Sequence, residues 1–175
     1  MRRNVWAALG TAVGIGLMLI ATATAVARTT GKESFRGTII APAESGTRNV
    51  VSTFIVARGV FTGVGEIVEV DNRPRDPNNV TRDDLVFPSG TLHVRNMSQA
   101  PHFSVDQQSC AFTARVKQTT TIEGGTGRFR HASGTFTGGV RAWGVGARNP
   151  DGSCNQQADA VLEVDAVSAL GRLSF

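Results

Sequence analysis

The chain contains no tyrosine, and aromatic residues make up only 6% of its 175 positions. It has two cysteines and three histidines, and His93, His102 and His131 are scattered without the spacing of metal ligands. That scarcity argues against a Cys/His metal centre, and no cofactor is expected. No run of Lys and Arg occurs. Arg36, Arg48, Arg58, Arg82, Arg95, Arg115 and Arg141 stand singly, as on a solvated surface, so a nucleic-acid partner is not expected. No Ser-His-Asp or Cys-His set can be assembled from spacing, and beyond Gly31 there is no amphipathic helical period.

The N-terminus has the order of a secretory signal peptide. Arg2 and Arg3 are followed by an uncharged, largely apolar stretch from Val5 to Ile20, and then by small residues ending Ala25-Val26-Ala27. Residues 1–27 are read as a signal peptide and residues 28–175 as one exported domain, secreted or otherwise extracytoplasmic. The uncharged stretch from Asn4 to Ala27 is long enough to span a bilayer, but its Ala/Thr-rich end and cleavage pattern favour removal, without stable membrane insertion afterwards. Loss of Arg2 and Arg3 from 18 basic residues leaves 16 against 14 acidic ones, so the high isoelectric point carries little information. In an exported chain the lone pair Cys110 and Cys154, 44 positions apart, is expected to form a disulfide. About 148 residues suffice for one domain with its own core.

Gly, Thr and Val dominate this domain, and turn residues recur every 8 to 15 positions. The pattern predicts an all-β antiparallel sandwich or barrel of about eight strands. Strands are expected at 34–42, 50–61, 65–71, 85–97, 110–123, 135–147, 158–167 and 171–175, with an edge piece at 103–105 and a bend at Pro88-Ser89-Gly90. Asn72–Asp84 reads as a polar, mobile loop, and Asn149-Pro150-Asp151-Gly152 as a turn. Alternation assigns faces. Val64, Glu66, Val68 and Val70 share an apolar face, with Glu69 on the solvated side. Ala158 to Ala166 offers an apolar face through Leu162 and Val164, and a wet one through Glu163 and Asp165.

The most informative stretch runs Thr121-Ile122-Glu123-Gly124-Gly125-Thr126-Gly127-Arg128-Phe129-Arg130-His131-Ala132-Ser133-Gly134-Thr135-Phe136. Its glycines permit a tight reversal. Phe129 can plug a barrel end, while Ala132 and Gly134 permit close backbone passage. No Gly-Lys-Ser/Thr follows, which argues against a phosphate loop. The stretch resembles the Gly-Gly-Thr-Gly-x-Phe-x-x-Ala-x-Gly signature of dirigent and allene oxide cyclase-like barrels, here as a bacterial exported member. The resemblance is clearest over Val116–Val145. It implies an eight-stranded antiparallel β-barrel with an interior cavity, and an activity that depends on a few polar groups among apolar walls.

The expected function is the binding of a small hydrophobic molecule inside the barrel. The alternative is a cyclase or isomerase acting on an apolar substrate. On that reading Glu66 is the acid or base, Arg58 or His93 its electrostatic partner, and Trp143 an aromatic wall; the same four residues are the expected ligand contacts. A third reading, an outer-membrane barrel, draws on the terminal Phe175 after Leu173 but lacks the aromatic girdles such barrels carry. Association into a homo-oligomer is left open.

Overall fold

A computed structural model describes residues 28–44 and 47–175, so residues 1–27, expected to be a signal peptide, lie outside the described residues. The described chain is all-β apart from one short 3-10 turn at Gly127–Phe129. Its strands are β1 (Thr30–Glu44), β2 (Thr47–Arg48), β3 (Ser52–Gly59), β4 (Thr62–Val70), β5 (Val80–Phe87), β6 (Gly90–Ser98), β7 (His102–Val105), β8 (Ala111–Gly125), β9 (Ser133–Val145), β10 (Ala147–Arg148), β11 (Cys154–Asn155) and β12 (Leu162–Ser174). Eight of them, β1, β3, β4, β5, β6, β8, β9 and β12, pair antiparallel in chain order. β12 then pairs with β1 from Thr30↔Ser174 to Pro42↔Leu162, which closes the sheet into a barrel. Closure removes the open edges that would otherwise invite further strand pairing. β2 and β7 hang on the wall, and β10–β11 is a separate two-stranded ribbon.

The strand count matches the sequence reading, but the strands are divided differently. The expected 85–97 strand is a hairpin of β5 and β6 turning at Pro88-Ser89, and β5 begins at Val80. The two C-terminal pieces expected at 158–167 and 171–175 are one strand, β12. The segment before β5, expected to be a mobile loop, makes polar contacts with the neighbouring strands. Asn72 donates to the Val80 carbonyl at 2.8 Å, and Arg82 pairs with Asp76 at 2.6 Å and with Glu123 at 2.7 Å. These charge-assisted bonds hold the Asp76 carboxyl down at about 2, chiefly through Arg82.

One end of the barrel is plugged by phenylalanine. Phe35, Phe61, Phe87, Phe129 and Phe136 are all buried, and Phe175 packs against them. The Phe129 ring lies 4.9 Å from that of Phe61 and 5.2 Å from that of Phe175. Gly127, at φ +53° and with room for no more than hydrogen beside the Ser89 carbonyl, lets the chain reverse and drop Phe129 into this cluster. Each buried ring contributes on the order of 1.5–3 kcal/mol.

The rings also explain a reversed face assignment. The inner face of β4 is Gly63, Gly65, Ile67 and Glu69, while Val64, Val68 and Val70 are exposed. A Cβ on Gly65 would collide with the Val86 carbonyl oxygen and sit 2.8 Å from the Phe87 ring. The neighbouring rings fill the volume, so the inner face of this strand is glycine and the larger apolar side chains face out. The outer wall also carries exposed Arg36, Arg115, Lys117 and Arg141 along the strands, whereas a lipid-facing barrel presents an apolar band.

Candidate functional site

Away from the phenylalanine plug the barrel is hollow. A cavity of about 710 Å³ opens at the end formed by the β1–β3, β4–β5, β6–β8 and β9–β12 connections. Its inner walls are apolar and include Ile39, Ile55, Ile67, Leu85, Val94 and Val167. Toward the mouth the same inward positions turn polar. Val94 is followed on its face by Asn96, Leu85 is preceded by Asp83, and Val167 is preceded by Asp165. Period-two alternation puts each polar group on the same face as the apolar residue two positions away.

Two carboxylate pairs face each other across the mouth. Glu69 and Asp83 are directly opposed in the β4–β5 register, and Glu163 and Asp165 share a face of β12. Arg48, on β2, spans between the pairs. Its Nη1 lies 2.7 Å from Glu69 Oε1, its Nε 3.4 Å from Glu163 Oε2, and its Nη2 3.6 Å from Asp165 Oδ2. The Arg48 backbone N–H donates to Asp159 Oδ2 at 2.9 Å, which fixes the strand that carries the guanidinium. On the other side, Thr120 Oγ1 donates to Asn96 Oδ1 at 2.6 Å, and Asn96 Nδ2 donates to Asp83 Oδ2 at 2.7 Å.

Burial and crowding raise two of these acids. Burial, with the charge of Glu163 added, pushes Asp165 up to about 7 against the pull of Arg48. Burial and the charge of Glu69 push Asp83 up to about 6, against the hydrogen bond from Asn96. Both are acids able to exchange a proton near neutral pH. Glu33, at the plugged end, is a contrast. It is also buried, and burial raises its carboxyl, but it accepts backbone N–H bonds from Phe61 at 3.1 Å and from Ser34 at 3.2 Å. Asp165 Oδ1 is buried with no hydrogen-bond partner among the described residues.

None of the four site residues expected from the sequence lines this cavity. Glu66 is exposed on the outer face of β4, because the inner positions are taken by Gly65 and Ile67; the inward placement expected for it is overturned. Arg58 is exposed on the outer face of β3, beside inward Ala57. His93 lies on the outer face of β6, with Nδ1 2.6 Å from Asp84 Oδ1. Trp143 is 47% exposed on the outside of β9. The groups that do converge are Arg48, Glu69, Asp83 and Asp165, of which alternation and isolation in the sequence place Arg48, Glu69 and Asp165 on solvated faces. The one available signal was Asn96 on the same face as Leu92 and Val94.

The expected disulfide is present. Cys110 and Cys154 are bonded, with Cα atoms 5.4 Å apart. The bond ties the β10–β11 ribbon to the turn before β8 at the open end, and a disulfide is consistent with an oxidising, extracytoplasmic compartment. Compared with family models, with curated proteins and with solved structures, the chain matches none.

Proposed function

We propose that this is an exported container for one small, mainly apolar molecule, held in the barrel interior. The observation that carries the reading is the cavity itself: about 710 Å³, aliphatic in its depth and polar toward its mouth, closed at one end by phenylalanine and open at the other. That volume lies within the range of about 300–1,000 Å³ for small-molecule sites. The resemblance of the Gly124–Gly134 stretch to dirigent and allene oxide cyclase-like barrels supports the same reading, as does the signal-like N-terminus.

A neutral apolar dye whose emission rises in a dry site, such as N-phenyl-1-naphthylamine, is expected to bind the purified protein saturably at one site. Val140 faces the cavity but stands outside the packed core. Val140→Trp is therefore expected to weaken dye binding by about tenfold or more, equivalent to about 1.4 kcal/mol, with the melting temperature kept within a few degrees. No saturable binding to the wild type, or equal binding to the filled variant, sinks the proposal.

A cyclase or isomerase reading is favoured by one feature, Asp165. It sits in the cavity wall with an unpartnered oxygen and a protonation balance near neutrality, the properties of a general acid or base. Product analysis of the same incubations separates the two readings, because a container returns its ligand unchanged.

A further inference from the structure

The open end holds a charge imbalance that an apolar ligand leaves unused. Glu69, Asp83, Glu163 and Asp165 are four carboxylates; among the described residues the guanidinium bonded to them is that of Arg48, and Arg82, which also lines the cavity, is taken up by Asp76 and Glu123. The best bond of Arg48 is to Glu69, at 2.7 Å. Its approach to Asp165, at 3.6 Å, is too long for a hydrogen bond. Asp83 is held by the neutral amide of Asn96, which brings a donor but no charge.

A second observation is independent of this tally. Asp165 is only 8% exposed and lines the cavity, and its Oδ1 has no hydrogen-bond partner among the described residues. A buried carboxylate oxygen without a donor is costly. The buried Glu33 at the other end, by comparison, accepts two backbone N–H bonds. The neighbours of Asp165 on either side show what the position favours. Toward the floor, Val167 and Ala169 are apolar; toward the mouth, Glu163 is acidic. Among the described residues no three His, Cys, Asp or Glu groups come close enough to hold a metal ion.

We infer that the molecule held in the barrel is an amphiphilic organic cation, with its apolar body against the aliphatic floor and a protonated amine or guanidinium donating to Asp165 beside Glu163. Arg48 stays on Glu69 and forms the opposite side of the head-group site. An anionic head group meets the carboxylates of Glu69, Asp83 and Asp165 there and is disfavoured, and a neutral hydroxyl supplies a hydrogen bond without the charge. The inference rests on the reading of the cavity as a small-molecule site.

Three probes with the same eight-carbon body, octylamine, 1-octanol and octanoate, test it by displacement of the neutral dye from the purified protein at pH 7.5. The amine is expected to displace dye at a concentration about tenfold below the alcohol, and octanoate to be the weakest. In Asp165→Asn, which keeps the shape and removes the charge, the amine advantage over the alcohol, each measured against that variant's own dye affinity, is expected to shrink to about threefold or less. Equal or better potency of the alcohol or of octanoate in the wild type, or no displacement by the amine, overturns the inference and leaves the cavity reading standing. So does an amine advantage that persists in Asp165→Asn. Failure of the dye to bind the wild type removes the cavity reading and this inference together. The comparison among probes is made on the wild type, so it does not depend on how well the variant folds.

Discussion

At the residue scale, Asp165 and Asp83 give the fold a pH dependence whose sign is fixed by the direction of their shifts. An unperturbed Asp titrates at 3.8, and the folded barrel raises Asp165 to about 7 and Asp83 to about 6. The folded state therefore holds these protons more tightly than the unfolded chain. That contribution is whole below about pH 4 and is lost as pH rises through about 6 and 7. Groups facing Asp165 include Glu163, Glu69 and Arg48, so the loss reports the whole rim. The melting temperature of the wild type is expected to fall between pH 5 and pH 8. Asp165→Asn is expected to flatten that slope and to melt higher than the wild type at pH 8, because it removes a buried negative charge that burial, Glu163 and Glu69 all disfavour. Parallel curves for the two proteins would show that Asp165 is not the group responsible. Asp76 acts in the opposite sense, since its carboxyl is held down at about 2 and its contribution disappears only as pH falls below about 4.

At the scale of elements, the Gly124–Gly134 reversal shapes one end of the barrel and leaves the chemistry to the other. It joins β8 to β9 and delivers Phe129 and Ala132 to the packed end, far along the strands from Asp165 and Arg48. A Cβ on Gly127 would stand 2.6 Å from the Ser89 carbonyl oxygen, in a left-handed backbone conformation. Gly127→Val is therefore expected to destabilise the protein by at least about 1 kcal/mol, read by denaturant unfolding. Dye affinity, extrapolated to the fully folded population, should be unchanged. An unaltered midpoint with lost dye binding would move the motif from scaffold to site.

For the whole molecule, closure depends on β12 meeting both β9 and β1. Leu173 lies between Gly134 and Gly31 in the two registers, and its fully buried side chain belongs to the core at the plugged end. Leu173→Ala is expected to cost about 2–5 kcal/mol, measured by chemical denaturation with an unchanged slope. A loss under about 1 kcal/mol would mean that the closing strand collapses onto the gap. The barrel thus divides its interior: one end is packed with rings and carries stability, while the other is left open, with polar groups whose requirements the fold itself does not fully meet.

Several of these features were legible in the chain alone. Dispersed turn residues and period-two segments specify an all-β domain because those signals are local. The Cys110–Cys154 bond followed from there being one pair in a chain with a signal-like start, and the architectural character of Gly127 and Phe129 followed from residue chemistry. The inward face of each strand was not legible. On β4 the inner residues are Gly63 and Gly65, because Phe61 and Phe87, from the flanking turn and from β5, occupy the space. On β12 the inner residue near the mouth is Asp165, with Glu163 beyond it on the same face, because that end of the barrel is hollow. Alternation marks two faces and assumes that the more apolar one points in. Which face does so is decided by closure of the sheet and by rings arriving from other strands, and those contacts exist only once the barrel has formed.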